Sequence, residues 1–196
     1  MAISSAGLLS GSSAGSIASL YASQGEGGAS ALRRPVEALA RQAEGVKVRL
    51  SAFGQVQSAA ANVQSAARNL QDAKQVSTVA ETKKAAEAFV AAYNNERSVL
   101  ASATAGSSAG KSAGVLADDG RAQVASSQLQ RTVTDNAAAF RDAGIRIQQD
   151  GSLAVDAKAL EAAYNTNPAA VTQALSNVGR AAEATASRQL SSSGSV

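Results

Sequence analysis

LRRPVEALARQAEGVKVRLSAFGQVQSAAANVQSAARNL, residues 32–70, is written in sevens. Leu32, Leu39, Val46, Phe53, Ala60 and Ala67 recur at every seventh position, and Val36, Ala43 and Leu50 follow four residues after the first three. Beyond Phe53 the companion row shifts to three residues after, as Val56, Val63 and Leu70. An apolar stripe that drifts in this way predicts one long helix over 35–72, built for antiparallel or coiled packing. Pro35 suits its first turn, where a missing N–H costs nothing.

Outward from this stretch, the chain reads as further helices punctuated by turns. Thr78 followed by Glu81 is a capping box and starts a helix over 78–101, with Val79, Ala86, Phe89, Val90, Tyr93 and Leu100 on its apolar face. Residues 102–114 form a Ser/Ala/Gly linker. Asp118 or Asp119 caps a third helix over 118–143, whose stripe includes Val124, Leu129, Val133 and Phe140, and Gly144 ends it in a left-handed conformation. Ile145-Arg146-Ile147 and Leu153-Ala154-Val155 alternate on either side of Asp150-Gly151, which predicts a hairpin over 145–155. Asp156 caps a short helix to Tyr164, and Pro168 starts another to Gln189, so that short helices fill 157–189.

The expected organisation is a flexible N-terminal export and assembly segment (1–31), a helical core domain (32–190) and a disordered tail (191–196). The fold class is mainly α: an elongated antiparallel helical bundle with one small β-hairpin and flexible termini. Residues 1–31 are Ser-, Gly- and Ala-rich and bury too little apolar surface to offset ordering entropy.

Composition narrows the function. The chain holds 47 Ala, so alanine supplies more than half of the 45% hydrophobic fraction. With 3 Phe, 3 Tyr and no Trp, it lacks the side chains for an aromatic-lined catalytic pocket. No Cys and no His removes disulfides, thiolate and imidazole chemistry, and most zinc or haem sites. The net charge of +3 is spread among mixed signs, without a basic stripe or stacking aromatics for nucleic acid. No apolar run approaches the roughly 20 residues of a membrane span. The start, Met1-Ala2-Ile3-Ser4-Ser5-Ala6-Gly7, lacks the charge and apolar run of a cleavable signal peptide. The expectation is a non-enzyme with no cofactor and no metal.

Four local patterns resemble chemical sites, and each has a simpler reading. Ala105-Gly106-Ser107-Ser108-Ala109-Gly110-Lys111-Ser112 matches a loose phosphate-binding loop, in which Lys111 neutralises phosphate and Ser112 holds magnesium. That chemistry needs a strand before the loop and a helix after it; here a helix precedes and Ala113-Gly114 follows. Asp118 and Asp119 are adjacent and share no helix face, so capping explains them better than acid/base work. Arg33 and Arg34 read as a solvated helix start. Asp150-Gly151 lacks the alternate oxygen ligands of a calcium loop and reads as a turn.

Leu116-Ala117-Asp118-Asp119, a helix ending Phe140-Arg141-Asp142-Ala143-Gly144-Ile145, Gly151-Ser152-Leu153-Ala154-Val155-Asp156, and Asn167-Pro168-Ala169-Ala170-Val171 follow in order over about sixty residues. This run resembles the C-terminal region of the flagellar hook-associated protein 2 family, the cap of the bacterial flagellar filament. Phe89-Val90-Ala91-Ala92-Tyr93-Asn94 resembles a helix of the same family, and Ile3-Ser4-Ser5-Ala6-Gly7 and Leu50-Ser51-Ala52-Phe53-Gly54 resemble its opening segment. The matching motif positions are Phe89, Tyr93, Asn94, Leu116, Asp119, Gly144, Ile145, Gly151, Leu153, Asp156, Asn167 and Pro168. Two departures stand out. The family's β-rich domains between the first long helix and the Phe-Val-x-x-Tyr-Asn helix are replaced by about a dozen residues, and the family's last C-terminal helix is missing.

The resemblance implies a structural, self-associating, cap-like subunit of the flagellum that assists flagellin assembly at the filament tip. Its implied partners are copies of itself, flagellin, other hook-associated or axial subunits and a flagellar export chaperone, with no nucleic acid and no membrane insertion. Its implied location is the extracellular flagellum, reached without a cleavable signal peptide. The alternative is a helical binding module, a chaperone-like partner or a secreted adhesin, without capping activity. Ile17, Leu20 and Tyr21 are the expected assembly contacts of the N-terminal segment.

Overall fold

The computed structural model describes residues 26–193 except 73, 75, 109 and 111, with side chains placed from Arg33 to Ser192. It is 78% helical. Among the described residues the order is α1 (Glu26–Gln71), α2 (Val79–Thr104), α3 (Gly120–Asp135), α4 (Ala137–Asp142), β1 (Ile145–Ile147), β2 (Leu153–Val155), α5 (Ala157–Thr166) and α6 (Pro168–Ser193). The chain divides into two units, residues 1–47 and 48–196. In the first, α1 is the described element, and every side chain from Arg33 to Lys47 is exposed.

The second unit is a helical bundle. From Ala52 onward α1 turns Val56, Ala59, Ala60, Val63, Ala66, Ala67 and Leu70 into the core. α6 runs antiparallel to this stretch, because Gln64 bonds Ser187 (2.8 Å), Arg68 bonds Glu183 (2.7 Å) and Gln71 bonds Glu183 (2.8 Å). Alanine lets the helices approach closely, and Gly179 marks the tightest point: a Cβ there would stand 2.6 Å from the Ala67 carbonyl oxygen. α6 is also antiparallel to α3, through the Thr132–Thr185 hydroxyl pair (2.8 Å) and the Gln189 amide donating to the Ala125 carbonyl (3.2 Å). α2 packs on α3, on β2 and on α5. Phe89 of α2 stacks on Phe140 of α4 with ring centroids 6.2 Å apart.

Several boundaries differ from the sequence expectation. α1 begins at Glu26, so Pro35 lies inside the helix and 26–31 belongs to it. Ala29, Ala31 and Leu32 favour helix, and Pro35 leaves the Ala31 carbonyl without its backbone N–H partner inside it. The third helix does not run through 118–143. It starts at Gly120 and breaks at Asn136, whose side-chain amide takes the Thr132 carbonyl (2.8 Å) and competes with the backbone for it. Val124 is 54% exposed and leaves the buried stripe, where Ala122 and Ala125 stand instead. Pro168 opens a 26-residue helix to Ser193, not a short one ending at Gln189, because packing on both α1 and α3 supports its length. Ser191–Ser193 are therefore helical, not tail.

Other expectations are met. Thr78 caps α2 by accepting from the Glu81 N–H (3.2 Å), while Glu81 receives the hydroxyls of Ser77 (2.5 Å) and Thr78 (3.0 Å), which hold its carboxyl below the usual range. The hairpin pairs Ile145 with Val155, Arg146 with Ala154 and Ile147 with Leu153, antiparallel.

Candidate functional site

The motif residues of α2 converge on the hairpin. Gly151 turns it with φ +81, and Asp150 accepts from the Ser152 N–H (2.9 Å) and hydroxyl (2.6 Å), which lowers the Asp150 pKa. Asn94 of α2 then imitates a third strand. Its amide nitrogen donates to the Leu153 carbonyl (2.8 Å) and its amide oxygen accepts the Leu153 N–H (2.9 Å). One side chain thus satisfies both polar groups of a backbone unit that would otherwise be left unpaired at the edge of the hairpin. One residue before, the Tyr93 hydroxyl donates to the Gly151 carbonyl (3.3 Å), and burial pushes its pKa up to about 12, so it stays a donor. One turn further, the Arg97 guanidinium stands 3.8 Å from the Asp150 carboxylate. A two-stranded hairpin is too small to be stable alone. Here it is clamped to a helix by Tyr93, Asn94 and Arg97, with Ile145 and Leu153 buried beneath it.

The remaining motif residues are joints. Gly144 has φ +70, and a Cβ there would lie 2.7 Å from the Leu160 backbone, so both conformation and space exclude a side chain. Its carbonyl accepts the Asp156 N–H (2.8 Å). Asp156 caps α5 through the Ala159 N–H (3.1 Å), the main reason its pKa is lowered, and also pairs with Arg146. Asn167 accepts the Ala170 N–H (3.1 Å) at the start of α6, where Pro168 takes the first position. Asp119, not Asp118, caps α3, with the Arg121 and Ala122 N–H groups on one oxygen, and Leu116 is fully buried.

These are turn, cap and packing contacts. Among the described residues no group of three acids could hold a metal, and no helix is long and apolar enough to cross a membrane. At the two ends of the Ser/Ala/Gly stretch the Gly114 N–H bonds the Ala105 carbonyl (2.8 Å) and the Leu116 N–H the Ala103 carbonyl (2.8 Å), while Lys111 lies outside the described residues. Without a strand before it, this loop has no phosphate-loop context. Asp150 is engaged as a turn residue, as its spacing suggests. The expected assembly contacts Ile17, Leu20 and Tyr21 lie outside the described residues.

Sequence reasoning passed over Glu96. Its signal is positional: Thr82, Ala86, Phe89, Tyr93, Leu100 and Ala103 alternate steps of four and three on the buried face of α2, and Glu96 fills the one remaining place. It is fully buried, and burial pushes its carboxyl up to about 7, with the Gln189 side chain acting in the opposite direction. Neither oxygen reaches a partner at full hydrogen-bond geometry. The same unit carries an apolar cleft of about 350 Å³, lined by Phe53, Val56, Ala60, Ala125, Gln189 and Leu190.

Tyr93 and Asn94 of α2 thus hold a Gly-x-Leu hairpin, and an Asn-Pro helix start follows it. The family model described as flagellar hook-associated protein 2 C-terminus matches residues 44–193. The chain belongs to this family. The match begins within α1 and takes in the clamp, the hairpin, the Gly144 joint and α6. No curated protein and no solved structure matches the chain.

Proposed function

We propose that this member of the flagellar hook-associated protein 2 family is a structural, non-enzymatic, self-associating subunit of the bacterial flagellum, cap-like, that assists flagellin assembly at the filament tip. The observation that carries the reading is the family match over residues 44–193, and the Asn94 contacts that support the hairpin fit a structural role. Flagellin, other axial subunits and an export chaperone are its partners, and it works outside the cell on the flagellum. Its own segment 1–31, through Ile17, Leu20 and Tyr21, anchors it to a neighbouring subunit.

The test is assembly. The purified protein, concentrated and imaged by electron microscopy, forms rings of one defined size, and labelled protein decorates filament tips. Removing residues 1–31 leaves the thermal transition of the second unit nearly unchanged and abolishes the rings. A protein that stays monomeric at high concentration and ignores filament ends refutes the cap-like reading.

A further inference from the structure

The first unit exposes an apolar face that its own described residues do not cover. Val36 and Leu39 are 62% and 64% exposed, Ala43 is exposed, and Val46 is 64% exposed. Steps of three, four and three put all four on one side of α1, as the alternating inner positions of a coiled-coil seam. Single exposed aliphatics need no explanation, but a row of them at coiled-coil spacing on one helix marks an interaction surface.

The flanks of the seam say what fits it. The positions that border a coiled-coil partner are occupied by Arg33, Pro35, Ala40, Gln42 and Lys47. They carry two positive charges and no negative one. The acids of this stretch, Glu37 and Glu44, sit one place outside the seam, where Glu44 pairs with Lys47 at 3.2 Å. Both members of that pair are largely exposed, so it is worth little and yields readily to a partner's carboxylate. A second copy of this helix brings no carboxylate to the flanking positions and so gains no attraction there.

We propose that residues 33–47 of α1 dock an amphipathic helix of another protein, one with aliphatic inner positions and Glu or Asp along its flanks. This goes beyond the cap-like reading and does not depend on ring formation: a chain that forms no rings can still pass the test below.

The probe is a pair of three-heptad synthetic peptides with Leu at the inner positions, one flanked by Glu and one by Lys, titrated into the full-length protein and read by fluorescence anisotropy. The Glu-flanked peptide binds at least tenfold more tightly at low salt, and the preference shrinks as salt is raised. Arg33→Glu with Lys47→Glu reverses the preference, and Leu39→Asp with Val46→Asp abolishes binding of both peptides. All four residues are exposed, so circular dichroism and the thermal transition of every variant match wild type. The proposal is overturned if the two peptides bind equally or neither binds. It is also overturned if sedimentation shows a homodimer that Leu39→Asp dissociates, which makes the occupant a second copy. Binding that appears only after residues 1–25 are removed overturns it too, since the chain then covers its own seam.

Discussion

Glu96→Gln is predicted to stabilise the protein, and only above a certain pH. The Glu96 carboxyl is fully buried in the second unit, and its pKa rises from 4.5 to about 7. Between these values the folded chain holds a proton that the unfolded chain has lost, so stability falls as pH rises, by about 1.4 kcal/mol per unit. The window of 4.5 to about 7 therefore costs about 3 kcal/mol in total, after which the loss is complete and the curve is flat. The other shifted carboxyls, Glu81, Asp150, Asp156 and Glu183, move the opposite way. Their contributions are lost only at more acid pH, so the two effects separate on the pH axis. Glutamine keeps the shape of Glu96 and cannot ionise. The variant's advantage is smallest at pH 4.5 and grows to its full value by pH 8, where it melts higher by about 6–12 °C for a chain of this size. The assay is thermal unfolding by circular dichroism at half-unit steps from pH 4.5 to 8.5. Refutation takes a definite form: a wild-type transition that is level from pH 5 to 7.5, or a variant that is equally displaced at pH 5 and pH 8.

Three further outcomes follow from the contacts. Asn94→Ala leaves the Leu153 N–H and carbonyl without partners and costs about 3 kcal/mol, with the Leu153 amide among the first to lose hydrogen-exchange protection. Gly179→Ala and Gly54→Ala separate packing from propensity: both are helical, but a Cβ at 179 meets the Ala67 carbonyl at 2.6 Å whereas one at 54 meets nothing within 4 Å. The first lowers the urea midpoint by forcing α1 and α6 apart, and the second raises stability by up to about 1 kcal/mol. Glu183 is held ionised by Arg68 and Gln71, so its contribution is present at neutral pH and is lost as pH falls through its lowered pKa; Glu183→Gln makes acid unfolding begin from a less stable state, while a wild-type acid curve in the variant denies the bridge.

Much of the architecture was legible along the chain because it depends on neighbours. Heptad spacing in 32–70, the Thr78–Glu81 cap, the Asp-Gly turn, Gly144 and Asn167-Pro168 are all statements about residues within one or two turns of each other, where backbone geometry alone sets the outcome. Helix ends were less legible. Pro35 and Asn136 each weigh a local preference against the helix around them, and the balance fell one way for the first and the other way for the second.

Only the tertiary structure decided which half of the seven-residue row is used. Leu39 and Val46 repeat with the same seven-residue spacing as Val56, Val63 and Leu70, yet the first two are exposed and the last three are buried. Periodicity records that a face is apolar; what covers it depends on which element returns to it, and α6 returns to Gln64–Gln71. Asn94 is the same lesson at one residue. Read alone it is a polar residue in a helix, and its role exists only because the fold brings Leu153, fifty-nine positions away, to both ends of its amide.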